Sequence, residues 1–426
     1  MTRNDALALD QADPRAPLRG RFTLPAGVIY LDGNSLGVLP RATAARVQQV
    51  VTEEWGPGLI RSWNDAGWMG LPQRVGDKIA RLVGAGAGER VVADSTSVNL
   101  YKVLSAALSI TAANASASAM PQRKVILSER SNFPTDLYIA EALARERGFE
   151  LQLADADELP ARLDERCAVL MLTHVNYRNG RMHDMAALTR AAHAAGALTV
   201  WDLAHSVGAV PVDLHASNAD FAIGCGYKYL NGGPGAPAFV WVHPQHVDRF
   251  WQPLAGWIGL AAPFEFTPGY RPATGISRYL CGTPALLSLA ALECGVDTLL
   301  AAEVHGGMAA LRNKSLALTR LFAQQVSATC PGLTLVSPAD DSLRGSQVCF
   351  AHPEFAYPVV QALIARGVIG DFRGGDGGRH EDIIRFGFTP LYIGFEDVWN
   401  AVEHLRLVLA GAEWQRPEFN QKQTVT

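Results

Sequence analysis

The sequence has few cysteines, and no two of them are spaced as a metal-binding or redox pair. Six are spread over 426 residues without a Cys-x-x-Cys motif: Cys167, Cys225, Cys281, Cys294, Cys330 and Cys349. Disulfide-stapled secreted domains and zinc sites both use closely spaced cysteines. We therefore expect reduced thiols, a cytoplasmic location and no zinc site.

The sequence also lacks a strong charge of one sign and any long apolar run. Charged residues make up 18% of the chain, the net charge is −4 and no long basic run occurs, so nucleic acid is not an expected partner. No stretch of about 20 uncharged apolar residues is available to cross a membrane. Residues 1–5 lack the apolar core of a signal peptide.

The sequence also lacks the motifs of a serine hydrolase, a dinucleotide-binding fold and a histidine metal site. There is no Gly-x-Ser-x-Gly elbow for a serine hydrolase. The glycines of residues 84–88 follow a predicted helix rather than a strand, which is the wrong order for a dinucleotide fold. His243 and His246 flank a proline and lack an acidic third ligand, so we expect no bound metal.

A regular alternation of apolar runs and helical stretches is present between residues 90 and 242. Such alternation predicts a mostly parallel sheet wrapped by helices, an α/β fold. Helices are predicted near 97–113, 134–147 and 184–195. The predicted strands are 90–94, 124–128, 149–153, 168–173, 198–202, 220–224 and 237–242.

The chain is too long for one ordinary core, so we expect more than one domain. The predicted units are an N-terminal segment that packs with the small domain (1–45), a large domain (46–290) and a smaller C-terminal α/β domain (291–426). Amphipathic helices are predicted at 40–55 and 72–83, and one long helical segment spans 285–327. The small domain is expected to hold strands 333–337, 346–351, 368–372 and 383–388 and helices 355–366 and 395–411.

Asp202 and Lys228 are the most informative pair of residues. Each stands where a buried-looking apolar run ends. Because ligands of α/β sheets bind at the carboxyl ends of strands, we expect both side chains in one site. An aspartate and a lysine presented together suit pyridoxal phosphate, since the lysine binds the cofactor covalently and the aspartate keeps its ring nitrogen protonated.

Each of these residues also has an ordinary structural explanation. Lys228 alone would be a solvated lysine, Asp202 a helix cap and His205 a buried core histidine. The glycines among residues 226–235 let backbone approach a ligand closely, which favours the site. His205 follows Asp202 by three residues, and we expect it to hydrogen-bond the cofactor's phenolic oxygen or to brace the aspartate.

Two further segments are suited to the rest of the cofactor. Thr96 and Ser97 directly follow a predicted strand and open a helix, where backbone N–H groups and hydroxyls bind a phosphate. Phe133 stands at the start of another helix and is a candidate to stack on the cofactor ring. In isolation, Phe133 and Asp136 are better explained as a hydrophobic staple and a cap.

These residues together resemble a known family. Asp202-x-x-His205 followed by Tyr227-Lys228 is similar to fold-type I pyridoxal-phosphate enzymes of the class V aminotransferase group, and within that group to the kynureninase family. The resemblance implies a large domain with a mostly parallel sheet and a smaller C-terminal α/β domain. The matching segments run through most of the chain: 30–37, 94–99, 133–136, 173–177, 201–206, 226–229, 256–257 and 282–284.

The resemblance implies a homodimer with pyridoxal 5′-phosphate at the subunit interface. Lys228 would carry the cofactor, Tyr227 would assist proton transfer, and Trp257 and Thr283 would reach the phosphate from the second subunit. The other implied cofactor contacts are Thr96, Ser97, Phe133, Asp136, Thr173, Asp202 and His205.

The resemblance also implies the substrate and its contacts. L-Kynurenine would be hydrolysed to anthranilate and L-alanine in tryptophan catabolism, and 3-hydroxykynurenine more weakly. Arg373 matches the arginine that grips the substrate carboxylate, with Arg379 and Arg385 as competing candidates. Trp63 and Trp257 would form walls around the aryl ring.

Two other activities share this fold and cofactor, a cysteine desulfurase and a class V aminotransferase. A desulfurase requires a reactive cysteine on a mobile loop, whereas Cys330 lies at a predicted helix-to-strand turn. It also usually has a histidine before the lysine, where this chain has Tyr227. An aminotransferase requires a second half-reaction with a keto acid.

Overall fold

The computed structural model describes residues 1–118 and 122–423. Its strands are β1 Ile29–Tyr30, β2 Arg90–Val92, β3 Val125–Glu129, β4 Glu150–Ala154, β5 Cys167–Thr173, β6 Leu198–Asp202, β7 Phe221–Gly224, β8 Phe239–Val242, β9 Thr334–Leu335, β10 Gln347–Ala351, β11 Val368–Ile369, β12 Asp371–Arg373 and β13 Ile383–Gly387.

The longer helices are α1 Arg3–Ala12, α2 Arg41–Gln49, α3 Leu71–Ala80, α4 Thr96–Ser118, α5 Pro134–Arg147, α6 Met185–Ala195, α7 Leu286–Leu300, α8 Gly307–Thr329, α9 Ala356–Ala365 and α10 Phe395–Ala410. Shorter helical turns are Ala16–Arg21, Val50–Trp55, Gly56–Gly58, Leu59–Arg61, Ser62–Asp65, Trp68–Gly70, Leu159–Arg162, Pro244–Val247, Trp257–Gly259, Gly275–Tyr279, Glu303–His305, Asp341–Leu343, Glu413–Gln415 and Pro417–Asn420.

A seven-stranded sheet forms the centre of the large unit, in the order β2-β8-β7-β6-β5-β3-β4. The five strands from β7 to β4 are parallel, whereas β8 and β2 are antiparallel to their neighbours. Alternate residues along a strand point to opposite faces, so Val200 and Trp201 enter different cores. Both faces are covered, which is why these strands are apolar throughout.

A second sheet of four antiparallel strands, in the order β12-β13-β10-β9, lies in the C-terminal part. Helix α1 packs against α10 there, and the Asp10 carboxylate accepts hydrogen bonds from the N–H groups of Phe395 (2.7 Å) and Glu396 (2.8 Å). Strand β1 pairs in parallel with β11. The first residues of the chain therefore join elements that lie more than 300 positions later in sequence.

The predicted alternation of strands and helices in the large unit is confirmed, and three other predictions need correction. The segment 285–327 is two helices, because the chain turns after α7 and Gly306 adopts a left-handed φ of +91°. The strand predicted at 368–372 is divided between β11 and β12. Helix 40–55 keeps α-helical geometry only to Gln49 and continues as a π-helix, Val50–Trp55.

Helix α1 was not predicted, although its capping box between Thr2 and Asp5 is visible in the sequence. No helix in the described part of the chain is long and apolar enough to cross a membrane. The domain boundaries at residues 45 and 290 stay predictions.

Candidate active site

A cavity of about 640 Å³, here called the central cavity, opens at the carboxyl ends of β5 and β6. Thr173 and Asp202 end these strands, and Lys228 lies in the turn that follows β7. All but three of the predicted site residues line the cavity: Thr96, Ser97, Phe133, Asp136, Thr173, Asp202, His205, Tyr227, Lys228 and Thr283.

Lys228 is hydrogen-bonded to a histidine whose tautomer is set by a buried glutamine. Lys228 Nζ lies 2.9 Å from His205 Nε2, and His205 Nδ1 lies 3.2 Å from Gln347 Oε1. Gln347 Nε2 donates to the carbonyl oxygens of Asn176 and Tyr177, both at 3.1 Å. Gln347 Oε1 must therefore accept, so Nδ1 of His205 carries the proton and Nε2 accepts from Lys228.

Burial keeps the pKa of His205 well below its usual value, and the Lys228 charge lowers it further. The imidazole is therefore neutral, as this hydrogen-bond pattern requires. Within the described residues its side chain bonds Lys228 and Gln347 and not Asp202. Of the two alternatives expected for His205, the described residues do not support bracing of the aspartate, because the lysine and the glutamine occupy both ring nitrogens. Contact with the cofactor's phenolic oxygen stays a prediction.

Two carboxyl groups lie together in the wall of the cavity. Burial raises the pKa of Asp136 well above its usual range, and the neighbouring charge of Asp202 raises it further. Burial also raises the pKa of Asp202, but the Lys228 charge and a 2.8 Å hydrogen bond from the Ala204 N–H oppose this rise. Asp136 therefore holds the proton and donates to Asp202, which remains the carboxylate.

The N-terminus of helix α4 forms another wall of the cavity. Thr96 and Ser97 are its first residues, so their N–H groups have no carbonyl within the helix to bond. The turn before the helix is held by Asn99 Nδ2, which donates to the Ala93 carbonyl at 2.8 Å. A 23-residue helix that directs free N–H groups into a cavity offers a site for an anion.

Aromatic rings cover the approach to Lys228. Phe133 is 42% exposed and meets Tyr177 edge-to-face, with ring centroids 5.2 Å apart. Lys228 Nζ lies 6.0 Å from the Phe133 ring centroid and 5.7 Å from that of Tyr227. Burial raises the pKa of Tyr227, so its phenol keeps the proton and acts as a donor at neutral pH. A planar ligand beside Phe133 would lie within reach of the lysine.

Comparison with known proteins identifies the family. Residues 311–405 match the family model described as the kynureninase C-terminal domain. The chain is 56% identical over 430 aligned residues to the kynureninase of Pseudomonas fluorescens, with 100% of both chains covered. The kynureninase of Burkholderia pseudomallei (strain K96243) is 55% identical over the same extent. The chain belongs to the kynureninase family.

Solved structures of other enzymes share this fold. A cysteine desulfurase from Thermococcus onnurineus NA1 superposes with a TM-score of 0.77 at 18% identity, covering 92% of this chain and 98% of that one. An Escherichia coli cysteine desulfurase superposes with a TM-score of 0.75 at 20% identity, covering 93% and 99%. Identities this low show the fold alone, and they confirm the predicted α/β architecture.

Three residues implied by the kynureninase resemblance lie outside the wall of the central cavity as far as the described residues define it. Trp63 packs edge-to-face on Trp68, with ring centroids 5.9 Å apart. Trp257 packs in the same way against Phe264, also at 5.9 Å. Arg373 forms an ion pair with Asp371 at 2.8 Å. The roles given to Trp63, Trp257 and Arg373 stay predictions.

The competing arginines differ in their surroundings. Arg385 is buried, and it donates to Asp371 Oδ1 at 2.8 Å, to Ser35 Oγ at 3.0 Å and to the Tyr177 carbonyl. Its charge depresses the pKa of His205 more than that of Arg373 does. Arg379 is exposed and lies 3.6 Å from Asp155. Arg385 thus lies close to the cavity, with Arg373 sharing its carboxylate partner.

Gln347 and Lys102 were missed by sequence analysis. Gln347 begins the buried strand β10, and Lys102 is fully buried in helix α4 between two walls of the cavity. The available signals were the one charged residue of helix α4 and the one amide of the apolar strand β10. Gln347 lies far in sequence from His205, and Lys102 lies far from the Tyr279 carbonyl, although its other partner, Asp94, is only eight residues away.

Proposed function

We propose that the central cavity binds pyridoxal 5′-phosphate. A volume of about 640 Å³ is in the range of cofactor sites. The donor set fits as well, with a lysine, a helix N-terminus for a phosphate and a partly exposed aromatic face. The buried carboxyl pair of Asp136 and Asp202 lies in the wall of the cavity, as expected of polar groups that face a ligand.

Each side chain then has a defined task at the cofactor. Thr96 and Ser97 hold the phosphate, Phe133 covers one face of the ring, and Lys228 provides the covalent link. The Asp202–Asp136 pair faces the ring nitrogen, since a carboxylate there keeps that nitrogen protonated. The remaining proposed contacts are Thr173, His205, Tyr227, Trp257 and Thr283.

The chain hydrolyses L-kynurenine to anthranilate and L-alanine. The observation that carries this conclusion is the 56% identity, over the full length of both chains, to a protein named kynureninase. The cofactor supplies the sink for the electron pair released at the substrate's α-carbon. The side chains of this protein bind and orient the substrate and move its protons.

Lys228 is the base that takes the proton from the α-carbon. His205 prepares it, because the neutral Nε2 atom accepts a hydrogen bond from the lysine and so favours an orientation with the amine lone pair free. Tyr227 keeps its phenolic proton and is the general acid beside it. A group of this kind contributes about 10²–10⁴-fold to a rate.

Arg373 is the proposed partner of the substrate carboxylate, and Arg385 is its competitor. A planar guanidinium binds a carboxylate through two parallel hydrogen bonds, so replacing the correct arginine with alanine should raise KM far more than replacing the other. We propose to compare Arg373→Ala with Arg385→Ala by steady-state kinetics. Equal KM values for both variants and the wild type would contradict the assignment of this carboxylate site.

The covalent link can be tested by absorbance. Lys228→Ala should abolish the visible band of the lysine-bound cofactor, and Asp202→Asn should keep the cofactor but lose about 10²-fold or more in kcat. Retention of the band in Lys228→Ala would refute the lysine assignment. Full activity of Asp202→Asn would refute the role of the carboxylate.

Substrate choice separates this proposal from a cysteine desulfurase. Cys330 is buried at the end of α8, and burial raises the pKa of its thiol, so it is not suited to act as a nucleophile. We expect anthranilate fluorescence from L-kynurenine, a weaker response with 3-hydroxykynurenine, and no sulfide from L-cysteine. Sulfide without anthranilate would establish the alternative.

We also propose that the protein is a cytoplasmic homodimer with the central cavity at the subunit interface. The loop 251–266 exposes large aromatic rings: Trp251 is 59%, Phe264 62% and Phe266 76% exposed. Apolar patches of this kind mark interfaces. Trp63 and Trp257 would complete the aryl site in that assembly, and a place in tryptophan catabolism follows from the substrate.

The dimer can be tested by sedimentation. We expect twice the chain mass of 45.8 kDa, and Phe264→Glu should shift the protein toward the monomer with a parallel loss of activity. Val304→Glu is the matched control, since Val304 is 86% exposed outside this loop. A monomeric and fully active wild type would contradict the proposal.

A further inference from the structure

Lys102 lies completely buried beneath the phosphate end of the central cavity. It is on helix α4, six residues after Thr96, and its side chain has no exposed surface. Its ammonium donates to the Asp94 carboxylate and, at 2.6 Å, to the main-chain carbonyl of Tyr279. Because it is enclosed, it cannot contact a ligand in the cavity.

The two partners of Lys102 belong to different walls of that cavity. Asp94 precedes Thr96 and Ser97 and has a left-handed φ of +50°, a conformation that is uncommon for residues other than glycine and that aspartate adopts more readily than most. Tyr279 precedes the lining residues 280–283. The Cys281 thiol adds a contact of 3.6 Å to the same Asp94 carboxylate.

We propose that Lys102 is a positioning residue that fixes the phosphate-binding wall by holding Asp94 in its left-handed conformation. The proposal rests on the cofactor assignment above. Asp94 also pairs through its carbonyl with the Ala238 N–H at 2.9 Å, so its backbone is fixed on one side by the sheet and its side chain on the other by Lys102. The sheet hydrogen bond and the lysine contact together hold the left-handed backbone of Asp94. The N–H groups of Thr96 and Ser97 therefore keep their direction toward the cavity.

Loss of the lysine should therefore weaken the recognition of the phosphate group specifically. In Lys102→Met the Asp94 carboxylate and the Tyr279 carbonyl lose a charged donor, and the turn is free to relax. Removing one partner of such a buried hydrogen bond has a cost that corresponds to about tenfold or more in affinity. The ring and the lysine of the site are not altered.

The experiment compares pyridoxal 5′-phosphate with pyridoxal, which lacks the phosphate, as ligands of the full-length apoprotein. We expect the dissociation constant of pyridoxal phosphate to rise about tenfold in Lys102→Met, while that of pyridoxal changes by less than about twofold. Lys314→Met is the matched control, because Lys314 is also a buried lysine in an ion pair, with Asp13 at 2.8 Å. It should lower stability without changing the ratio of the two constants.

A second pair of variants tests the same idea at Asp94. Asp94→Gly and Asp94→Ala both leave Lys102 without its carboxylate, but only glycine accepts a φ of +50° without strain. We expect Asp94→Gly to keep most of the preference for the phosphorylated ligand and Asp94→Ala to lose it. Asp94→Gly should also restore the preference in the Lys102→Met background.

The outcomes are distinct. An unchanged ratio of dissociation constants in Lys102→Met, or identical ratios in Asp94→Gly and Asp94→Ala, would overturn the role of Lys102. If Lys102→Met does not fold, the comparison of the two Asp94 variants decides alone. Failure of the wild-type protein to bind pyridoxal phosphate would instead overturn the cofactor assignment.

Discussion

At the scale of single residues, the chemistry depends on the hydrogen bonds that link Gln347 to His205 and His205 to Lys228, because they set where the lone pair of the lysine amine points. Gln347 cannot rotate its amide without losing two hydrogen bonds to carbonyls, so the orientation of His205 and its acceptor atom toward Lys228 are both fixed. A histidine with the opposite tautomer would present a donor to the lysine. The amide of Gln347 therefore determines that His205 presents an acceptor, and not a donor, to Lys228.

Gln347→Glu should move the pH dependence of the reaction. A carboxylate beside Nδ1 favours the protonated imidazole, so the pKa of His205 rises from its depressed value. Below that raised pKa, Nε2 carries a proton and no longer accepts from Lys228. We expect the acid limb of the kcat/KM profile to shift to higher pH.

Gln324→Glu is the control for that variant, since it places the same charge on an exposed residue of α8. Its profile should match the wild type. An unchanged acid limb in Gln347→Glu would contradict the tautomer assignment, whatever happens to the maximal rate.

Residues that follow strands could be predicted, and residues that act across elements could not. Asp202 and Lys228 are visible because each ends an apolar run, and the carboxyl ends of parallel strands converge. Gln347 lies 142 positions from His205 and Lys102 lies 177 from the Tyr279 carbonyl, so only the packing of distant elements brings them together. The roles predicted for Trp63 and Trp257 depend on the proposed second subunit, and one sequence does not position a second subunit.

At the scale of elements, helix ends are completed by residues from far along the chain. The first N–H groups of α10 have no acceptors within the helix, and Asp10 of α1 supplies both carboxylate oxygens. This contact holds the N-terminal helix to the C-terminal unit. It was not predicted, because a cap normally precedes its own helix in sequence.

Asp10→Ala should lower the free energy of unfolding by about 1 kcal/mol, the usual cost of losing a cap. The measurement is urea denaturation followed by circular dichroism. Glu141→Ala, an exposed position on α5, should change the same quantity by less than about 0.5 kcal/mol. Equal effects of the two variants would show that α10 does not depend on this cap.

Periodicity predicted most elements of the large sheet, because strands buried on both faces are continuous apolar runs. It failed where two helices follow each other without a change of composition. Gly306-Gly307 marks the end between α7 and α8, and a left-handed glycine is the usual signal of such an end. The π-helix after α2 had no comparable signal.

At the scale of the whole molecule, the edge of the sheet opposite the cavity is held by one carboxylate. Asp220 accepts from His193 Nε2 and His246 Nε2, both at 2.8 Å, and from the N–H (2.8 Å) and hydroxyl (3.0 Å) groups of Thr199. These bonds lower the pKa of Asp220 and raise that of His193. They connect β6, β7 and α6 to the segment after β8.

His193→Gln should lower the free energy of unfolding by an amount that depends on pH. The raised pKa of His193 means that its contribution is complete below about pH 6.5 and is lost as the pH rises through the folded value. The lowered pKa of Asp220 keeps the pair intact down to about pH 4. We expect the variant to lose about 1 kcal/mol in the free energy of unfolding at pH 5.5 and less at pH 8. The loss is modest because His193 is partly exposed to solvent.

Urea denaturation at both pH values measures this difference. His305→Gln removes a histidine outside the Asp220 network and should show no such trend. A loss in the free energy of unfolding that grows from pH 5.5 to pH 8 would contradict the proposed His193–Asp220 interaction.

The cavity also depends on a segment near the start of the chain. The segment 30–37 passes under the Lys228 turn, where the Gly37 N–H donates to the Tyr227 carbonyl at 2.8 Å, and Ser35 Oγ donates to Asp371 at 2.9 Å. The N-terminal segment thus contacts both the lysine turn and the arginine cluster. A β-carbon at Gly37 would approach the Lys228 carbonyl to 2.5 Å, so this passage admits only glycine.

The most direct test of the central claim is the product balance with L-kynurenine. Purified protein loaded with pyridoxal phosphate should release anthranilate and L-alanine in equal amounts, and Lys228→Ala should release neither. This is the result expected of hydrolytic cleavage at a site built on Lys228. Alanine without anthranilate, an amino group passed to a keto acid, or undiminished turnover in Lys228→Ala would contradict it.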